Sequence, residues 1–224
     1  MPKPRGKKPV HLTKVKKKGR EGKEHVIADV KEAVKKYQHS YVLAYHNVST
    51  NSLNKLRMEF WDSRMFLGKN KLIAFALKQI QDEDPSETVH VLGHYMSGEC
   101  LLLCTDWTDV KAYFKEFSVP AFAKGGEIAK EDVILKAGSD VFEDFSFSLE
   151  PHLRELNIPT QLKNQKIALL EDVQLAAEGE PMNVEQCKVL KLIGKRMSEF
   201  WLWILARYNR ESKNVKAYEE IKQK

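Results

Sequence analysis

Four side chains stand in pairs four residues apart, His90 with His94 and Cys100 with Cys104, and imidazole and thiolate are the usual ligands of zinc. The two cysteines flank Leu101-Leu102-Leu103, a run that reads as a buried strand. Residues four apart on a strand share a face but stand too far apart to hold one ion. The pairs therefore read as two small buried hydrophobes and two ordinary histidines. Cys187 follows Gln186 on a helical stretch and has no neighbouring histidine to activate it, so helix-face packing is its default and nucleophilic catalysis has no support. Glu131-Asp132, Glu143-Asp144 and Glu171-Asp172 are adjacent carboxylates that project in different directions, as on solvated loops, and form no acid/base couple. Neither an enzyme nor a bound cofactor is expected.

Gly68-Lys69-Asn70-Lys71 offers different chemistry. A glycine turn ahead of a basic helix start presents backbone N–H groups, the positive end of the helix dipole and lysines to a phosphate. It is not a P-loop: the first glycine and the Ser/Thr after the lysine are missing, so both the cradle and the magnesium ligand are lost. By itself such a turn is also an ordinary helix start facing water. The basic residues around it, Arg57 and Arg64, with Lys55 and Lys78 lining the same face, tip the reading toward nucleic acid.

The elements that must position this turn show in the apolar periods. Val26, Ile27, Val30, Ala33, Val34 and Tyr37 recur at helical spacing. Ser40 to His46 reads as a strand. Ser49-Thr50-Asn51-Ser52 can cap a second helix whose stripe is Leu53, Leu56, Phe60 and Trp61. The run from Arg64 leads through Gly68 into a third helix with Leu72, Ile73, Phe75, Ala76, Leu77 and Ile80. Glu99 to Thr105 reads as a buried strand, and Asp106 as the cap of a helix carrying Val110, Tyr113, Phe114 and Phe117. After Pro120, glycines and prolines separate short β-like runs such as Val133 to Leu135 and Ile167 to Leu170. Asn183 caps another helix, and Phe200 to Ala206, too apolar to stay exposed, reads as a strand completing the first sheet. The expected organisation is a flexible basic arm (1–20), a discontinuous α+β domain (21–120 plus 182–210), an insertion (121–181) and a polar tail (211–224), helical or frayed.

Charge is concentrated at one end. Of 224 residues, 37 are Lys or Arg and 31 Asp or Glu, but residues 1–23 alone hold ten basic and one acidic, so the remaining 201 are net acidic. A polyanion partner fits that arm. Clusters such as Lys16-Lys17-Lys18 serve equally as nuclear import signals, and the two roles stay open. No window approaches the roughly 18 apolar residues that cross a bilayer, the start is too charged for a signal peptide, and three cysteines fit a reducing compartment, where the sequon Asn47-Val48-Ser49 is idle. A soluble intracellular protein, with no membrane or small-molecule substrate, is the expectation.

Several longer motifs carry a resemblance. Arg64-Met-Phe-Leu-Gly-Lys-Asn-Lys-Leu-Ile-Ala-Phe-Ala-Leu77 resembles the rRNA-contacting strand, turn and helix of the L-ten ribosomal stalk-base family. Phe117-Ser-Val-Pro-Ala-Phe-Ala-Lys-Gly-Gly126 resembles that family's entry into its insertion domain, although the family runs Ala-Gly where this chain ends on Gly126. Ser148 to Leu162, and Glu178 through Gly194, are similar to the branch of nuclear assembly factors called mRNA turnover protein four. The arm Lys16 to Glu24 and Lys71 also favour that branch, whereas Trp201 and Trp203 depart from the pattern. In the mature stalk protein an acidic tail recruits further factors; the last 18 residues here carry six basic and three acidic groups.

The resemblance implies a ferredoxin-like rRNA-binding domain with a small α/β insertion domain. It implies a non-enzymatic assembly factor that occupies the stalk-base, GTPase-associated rRNA on nuclear large-subunit precursors until the stalk-base protein replaces it. Lys17, Lys18, Arg20, Lys23, Lys55, Arg57, Arg64, Gly68, Lys69, Asn70 and Lys71 are the expected RNA-binding residues. The implied partners are that rRNA, pre-ribosomal particles and neighbouring ribosomal proteins. The implied form is a monomer with a nuclear and nucleolar address, open to cytoplasmic shuttling. The competing expectations are a truncated structural stalk-base protein of mature ribosomes and an enzyme of RNA decay, for which no catalytic group speaks.

Overall fold

The computed structural model describes residues 19–138, 140–142 and 144–218. The chain runs α1 (Arg20–Lys36), β1 (His39–His46), α2 (Thr50–Glu59), β2 (Arg64–Phe66), α3 (Asn70–Glu83), a 3₁₀ segment (Val89–Tyr95), β3 (Cys100–Thr105), α4 (Val110–Glu116) and β4 (Ser118–Ala121). It continues through β5 (Val133–Leu135), α5 (Glu150–Glu155), β6 (Thr160–Lys163), β7 (Lys166–Leu169), β8 (Val173–Ala176) and α6 (Val184–Leu192), and returns as β9 (Ser198–Asn209) and β10 (Asn214–Ala217).

Among the described residues one antiparallel sheet has the order β10-β9-β1-β3-β2, with β4 also paired to β9. Strand alternation sends successive side chains to opposite faces, and both faces are covered. Val42, Cys100, Leu102 and Cys104 pack under α1, α3 and the 3₁₀ segment. Tyr41, Leu43, Leu101 and Leu103 pack under α2 and α4. Each fully buried leucine contributes about 1.5–3 kcal/mol. A plain βαββαβ order would join β2 to β3 by a hairpin. Here α3 and the 3₁₀ segment intervene, and they build the layer over one face.

The strand predicted from Phe200 to Ala206 is present and longer than expected. Its pairing with β1 shifts between Val42 and Leu43, where Ala206 and Ile204 face them and Leu205 is the extra residue. One added residue reverses the parity of a strand. Phe200, Leu202 and Ile204 therefore enter the α2/α4 core, while Ala206 and Tyr208 enter the α1/α3 core.

Several expectations are corrected. The segment after Arg210 is not a helical or frayed tail throughout, since Asn214–Ala217 pairs with β9 as β10. Asp106 does not cap α4. It accepts the Gln38 N–H at 2.8 Å, and the N-cap position belongs to Asp109. Trp61 is not part of the α2 stripe: Phe60 is buried against Trp107, Tyr113 and Phe114, whereas Trp61 is 81% exposed on the turn closed by Ser63 N–H to the Phe60 carbonyl.

The largest correction concerns α6, which sequence position alone assigns to the first domain. Its Cys187, Val189 and Leu190 lie instead in the insertion core with Val133, Leu135, Leu153, Ile167, Leu169 and Leu175. The cause is local pairing. Gly126 N–H donates to the Met182 carbonyl at 2.8 Å and Met182 N–H to the Glu127 carbonyl at 2.9 Å, so the two crossings between the domains are laced together before α6 begins. Asn183 and Gln186 then close a capping box at its start.

Candidate nucleic-acid interface

β2 is a three-residue edge strand, and Leu67 and Gly68 carry the chain from it to α3. Lys69 takes the N-cap position with extended geometry and no side-chain capping bond. Leu72 N–H and Ile73 N–H turn back to its carbonyl at 2.8 and 3.2 Å. The first N–H groups of a helix have no partner within it, so those of Asn70 and Lys71 face outward. Asn70 is held half-buried, its amide donating to the Gly98 carbonyl at 2.7 Å, which pins the start of α3 to the loop ahead of β3.

The electrostatics of this end run against helix stability. Acidic side chains favour a helix N-terminus and basic ones its C-terminus. α1, α5 and α6 obey, with Glu21, Glu150 and Glu185 in the first turn and basic residues in the last. α3 has no acid in its first turn and carries exposed Lys69 and Lys71 there. Among the described residues neither lysine has an ion-pair partner, and Arg57, Arg64, Lys55 and Lys23 have none either, whereas Arg20 is bridged to Glu24 at 2.8 Å. The charge at this end is therefore uncompensated among the described residues, which makes it attractive to an anion.

Gly68 sharpens the point. Its φ is not left-handed, and a Cβ built on it would meet nothing within 4 Å. The fold itself does not require glycine there. A bare backbone beside two lysines suits the close approach of a phosphate.

Along the same flank, Lys71, Phe75, Lys78, His90 and His94 line a groove of about 410 Å³ between α3 and the 3₁₀ segment. Phe75, expected in the apolar stripe, is 49% exposed, and among the described residues the buried His90 Nδ1 has no hydrogen-bond partner. The groove joins two ammonium groups, an aromatic face and imidazoles, a set suited to a sugar-phosphate chain.

The structure brings together Gly68, Lys69, Asn70, Lys71 and Lys78. It does not bring Lys55 to them. Lys55 faces a second cleft near Lys124 and Lys191, and Arg57, two residues on, points about 200° around α2. Arg64 is also turned away, lining a shallow cleft with Asp29, Glu32 and Lys36 of α1. Lys23 and Arg20 lie exposed on the first turn of α1, and Lys17 and Lys18 fall outside the described residues. Phe75, expected in the apolar stripe, and His90 and His94, expected as ordinary histidines, meet in this groove, which the sequence did not show because an exposed aromatic at core spacing looks like core and the histidines come from a separate segment.

The sulfur and imidazole candidates for chemistry are accounted for differently. Burial raises the thiol pKa of all three cysteines, that of Cys104 to about 12, so none is a thiolate near neutral pH. Cys100 and Cys104 share the α1/α3 face of β3, as the strand reading requires. Among the described residues no group of three or more His, Cys, Asp or Glu is placed to hold a metal ion.

Comparison with known proteins adds the family. The model described as Ribosomal protein L10 matches residues 18–119, and a second model, for the insertion domain in the 60S ribosomal protein of that type, matches residues 123–194. Ribosome assembly factor mrt4 of Neurospora crassa is 32% identical over 98% of this chain and 94% of its own length. The factor of the same name from Schizosaccharomyces pombe is 31% identical over 96% and 94%. The chain belongs to the mrt4 family. That family is paralogous to the large ribosomal subunit protein uL10, and the archaeal uL10 of Methanopyrus kandleri is 26% identical over 76% of this chain but 48% of its own length. The insertion-domain match runs through α6 to residue 194, in keeping with the packing of α6 in the insertion core.

Proposed function

We propose that this chain is a non-enzymatic ribosome assembly factor that binds large-subunit rRNA through the β2–α3 edge. It would occupy the stalk-base, GTPase-associated segment on nuclear and nucleolar precursors, as a monomer, until the stalk-base protein replaces it. The observation that carries the reading is the start of α3: a helix N-terminus without a side-chain cap, two lysines with no ion-pair partner among the described residues, and a side-chain-free Gly68. Its relatives are named ribosome assembly factors, and the match covers nearly all of their length. The ferredoxin-like reading of the first domain draws support from the order β9-β1-β3-β2.

Recognition would be by shape. Lysines on a rigid turn read phosphates and 2′-hydroxyls of folded RNA without a base code. Affinity should fall steeply with salt, with a log-log slope of about −0.9 per neutralised phosphate on duplex or about −0.7 on single strands. Lys69→Glu should lower affinity and flatten that slope while the fold persists; an unchanged slope removes the turn from the interface. Removing residues 1–20 separates the arm's roles, since loss of affinity marks an RNA contact and loss of nuclear location alone marks an import signal. Cross-linking in cells with sequencing of the attached RNA tests the whole reading. A peak on the GTPase-associated segment of precursor rRNA supports it, and signal spread over messenger RNA defeats it. Sedimentation of extracts discriminates the structural stalk-base alternative, which would travel with polysomes.

A further inference from the structure

We propose that the cleft where the two domains meet is a second site for an RNA phosphate backbone, separate from the α3 edge. It rests on the RNA-binding reading above. The cleft, about 340 Å³, lies between the start of α2, the exit of β4 and the end of α6. Four cations from separate stretches line it: Lys55 on α2, Lys124 after β4, Lys191 in the last turn of α6, and Arg196 just beyond. Among the described residues no acidic side chain lines it. Among the described residues none of the four has an ion-pair partner, whereas neighbouring Lys130 and Lys195 are matched to Glu199 at 2.6 Å and Glu131 at 3.1 Å.

The walls are built to hold this arrangement. Buried Asn47 donates from one amide nitrogen to the Phe122 carbonyl at 2.8 Å and to Ser198 Oγ at 2.7 Å, tying the end of β1 to both strands that cross between the domains. Gly125 approaches α6 so closely that a Cβ would stand 2.5 Å from Val184 Cγ2. The Arg196 guanidinium lies 5.7 Å from the Phe122 ring centroid, a cation–π contact that fixes it at the rim. Four like charges gathered without a counter-charge repel one another, and an entering polyanion relieves that repulsion.

Position favours RNA over an isolated anion. The cleft opens beyond the end of β1 at Asn47, and β1 pairs its Ala44 with Cys100, so Asn47 and Gly98 sit at one end of the sheet. Asn70 binds Gly98, which places the α3 lysines at that same end. From β4 across β9, β1 and β3 to β2 is four strand steps, roughly 20 Å at about 4.8 Å each. One folded RNA segment can span that distance and touch both sites. Because Lys55 belongs to the first domain and Lys191 to the insertion, bound RNA would clamp the two domains together.

The test uses the full chain and a fragment of the GTPase-associated large-subunit rRNA, with affinity followed over a salt series for wild type, Lys69→Glu, and the pair Lys191→Glu with Arg196→Glu. The expected result is that the cleft pair shallows the slope by about 1.5–2, with at least a tenfold loss of affinity, while Lys69→Glu independently shallows it by about 1. If Lys69→Glu acts and the cleft pair does not, this proposal is overturned and the reading of the α3 edge stands. If neither acts, the RNA reading itself fails and takes the cleft with it. Should the reversal pair not fold, Lys124→Gln with Lys191→Gln replaces it, and an unchanged slope there overturns the proposal equally. Inorganic phosphate that shifts the amide signals of the cleft, with no effect of either pair on RNA, would make it a small-anion site and overturn the RNA assignment.

Discussion

The two ends of α3 hold charges of opposite sign, each on the side where the helix dipole disfavours it, and they are handled differently. At the C-terminal end Glu83 receives Lys31 at 2.7 Å and Lys35 at 3.0 Å from α1, while Asp84 and Glu87 lie 3.6 and 3.5 Å from Lys213. At the N-terminal end Lys69 and Lys71 have no such partner among the described residues. One end is neutralised from within the fold. The other is left charged, against local stability, and such violations mark functional sites. Total charge could not have made this distinction, because it does not say which charges are paired.

The comparison breaks most visibly at the bare end. Lys69→Glu combined with Lys71→Glu should lower rRNA affinity about 100-fold and shallow the salt slope by about 2. The same change should raise folding stability slightly, by about 0.3–1 kcal/mol per acid placed on the dipole. Binding titrations and thermal melts moving in opposite directions would establish that the end is built for a ligand; a drop in both would make the lysines structural.

Asn70→Ala comes next. It removes the bond to Gly98, so stability should fall by about 0.5–1.5 kcal/mol and affinity several-fold as the turn loosens, read by denaturant unfolding and filter binding. Gly68→Ala should weaken RNA binding a few-fold with no loss of stability, because the fold leaves room for the methyl and glycine removal restricts the unfolded chain. Unaltered binding would show that no phosphate comes close there.

The neutralised end gives the smallest effect. Hydrogen bonds from Lys31 and Lys35 hold the Glu83 carboxyl below its ordinary 4.5. A depressed folded-state pKa contributes stability above the unfolded value and loses it as pH falls through the folded one. Glu83→Gln should therefore melt lower than wild type at neutral pH, and the two curves should converge as pH falls below the ordinary carboxylate range, through the depressed folded-state value. RNA affinity should not change.

How much of this the sequence discloses depends on whether a signal is local. α1, α3 and the buried strand β3 follow from apolar periods, and the basic helix start from four consecutive residues. Trp61 misled because helical spacing cannot say that the turn at Ser63 has already ended α2. β10 carries only Val215 and Ala217 as apolar residues and is a strand because β9 offers it an edge. α6 has the period of any amphipathic helix, and contacts distant in sequence, among them the hydrogen bonds near Gly126 and Met182, place it in the insertion core. The reversal at Leu205 leaves the alternation of buried residues along β9 unbroken. The cleft draws Lys55, Lys124, Lys191 and Arg196 from positions up to 141 residues apart, a grouping no window could reveal.

The placement of β9 also dictates an order of events during synthesis. β1 is paired to β3 on one side and to β9 on the other. As the chain emerges, the edge of β1 must wait for Ser198 onward, and the roughly 75 residues after Ala121 take about 4–15 s to make. During that interval the nascent first domain exposes an unpaired edge rich in Tyr, Val and Leu, the kind of edge that recruits foreign strands. The insertion can fold in the meantime, so the last strand arrives tethered to a finished body that limits how far it must search.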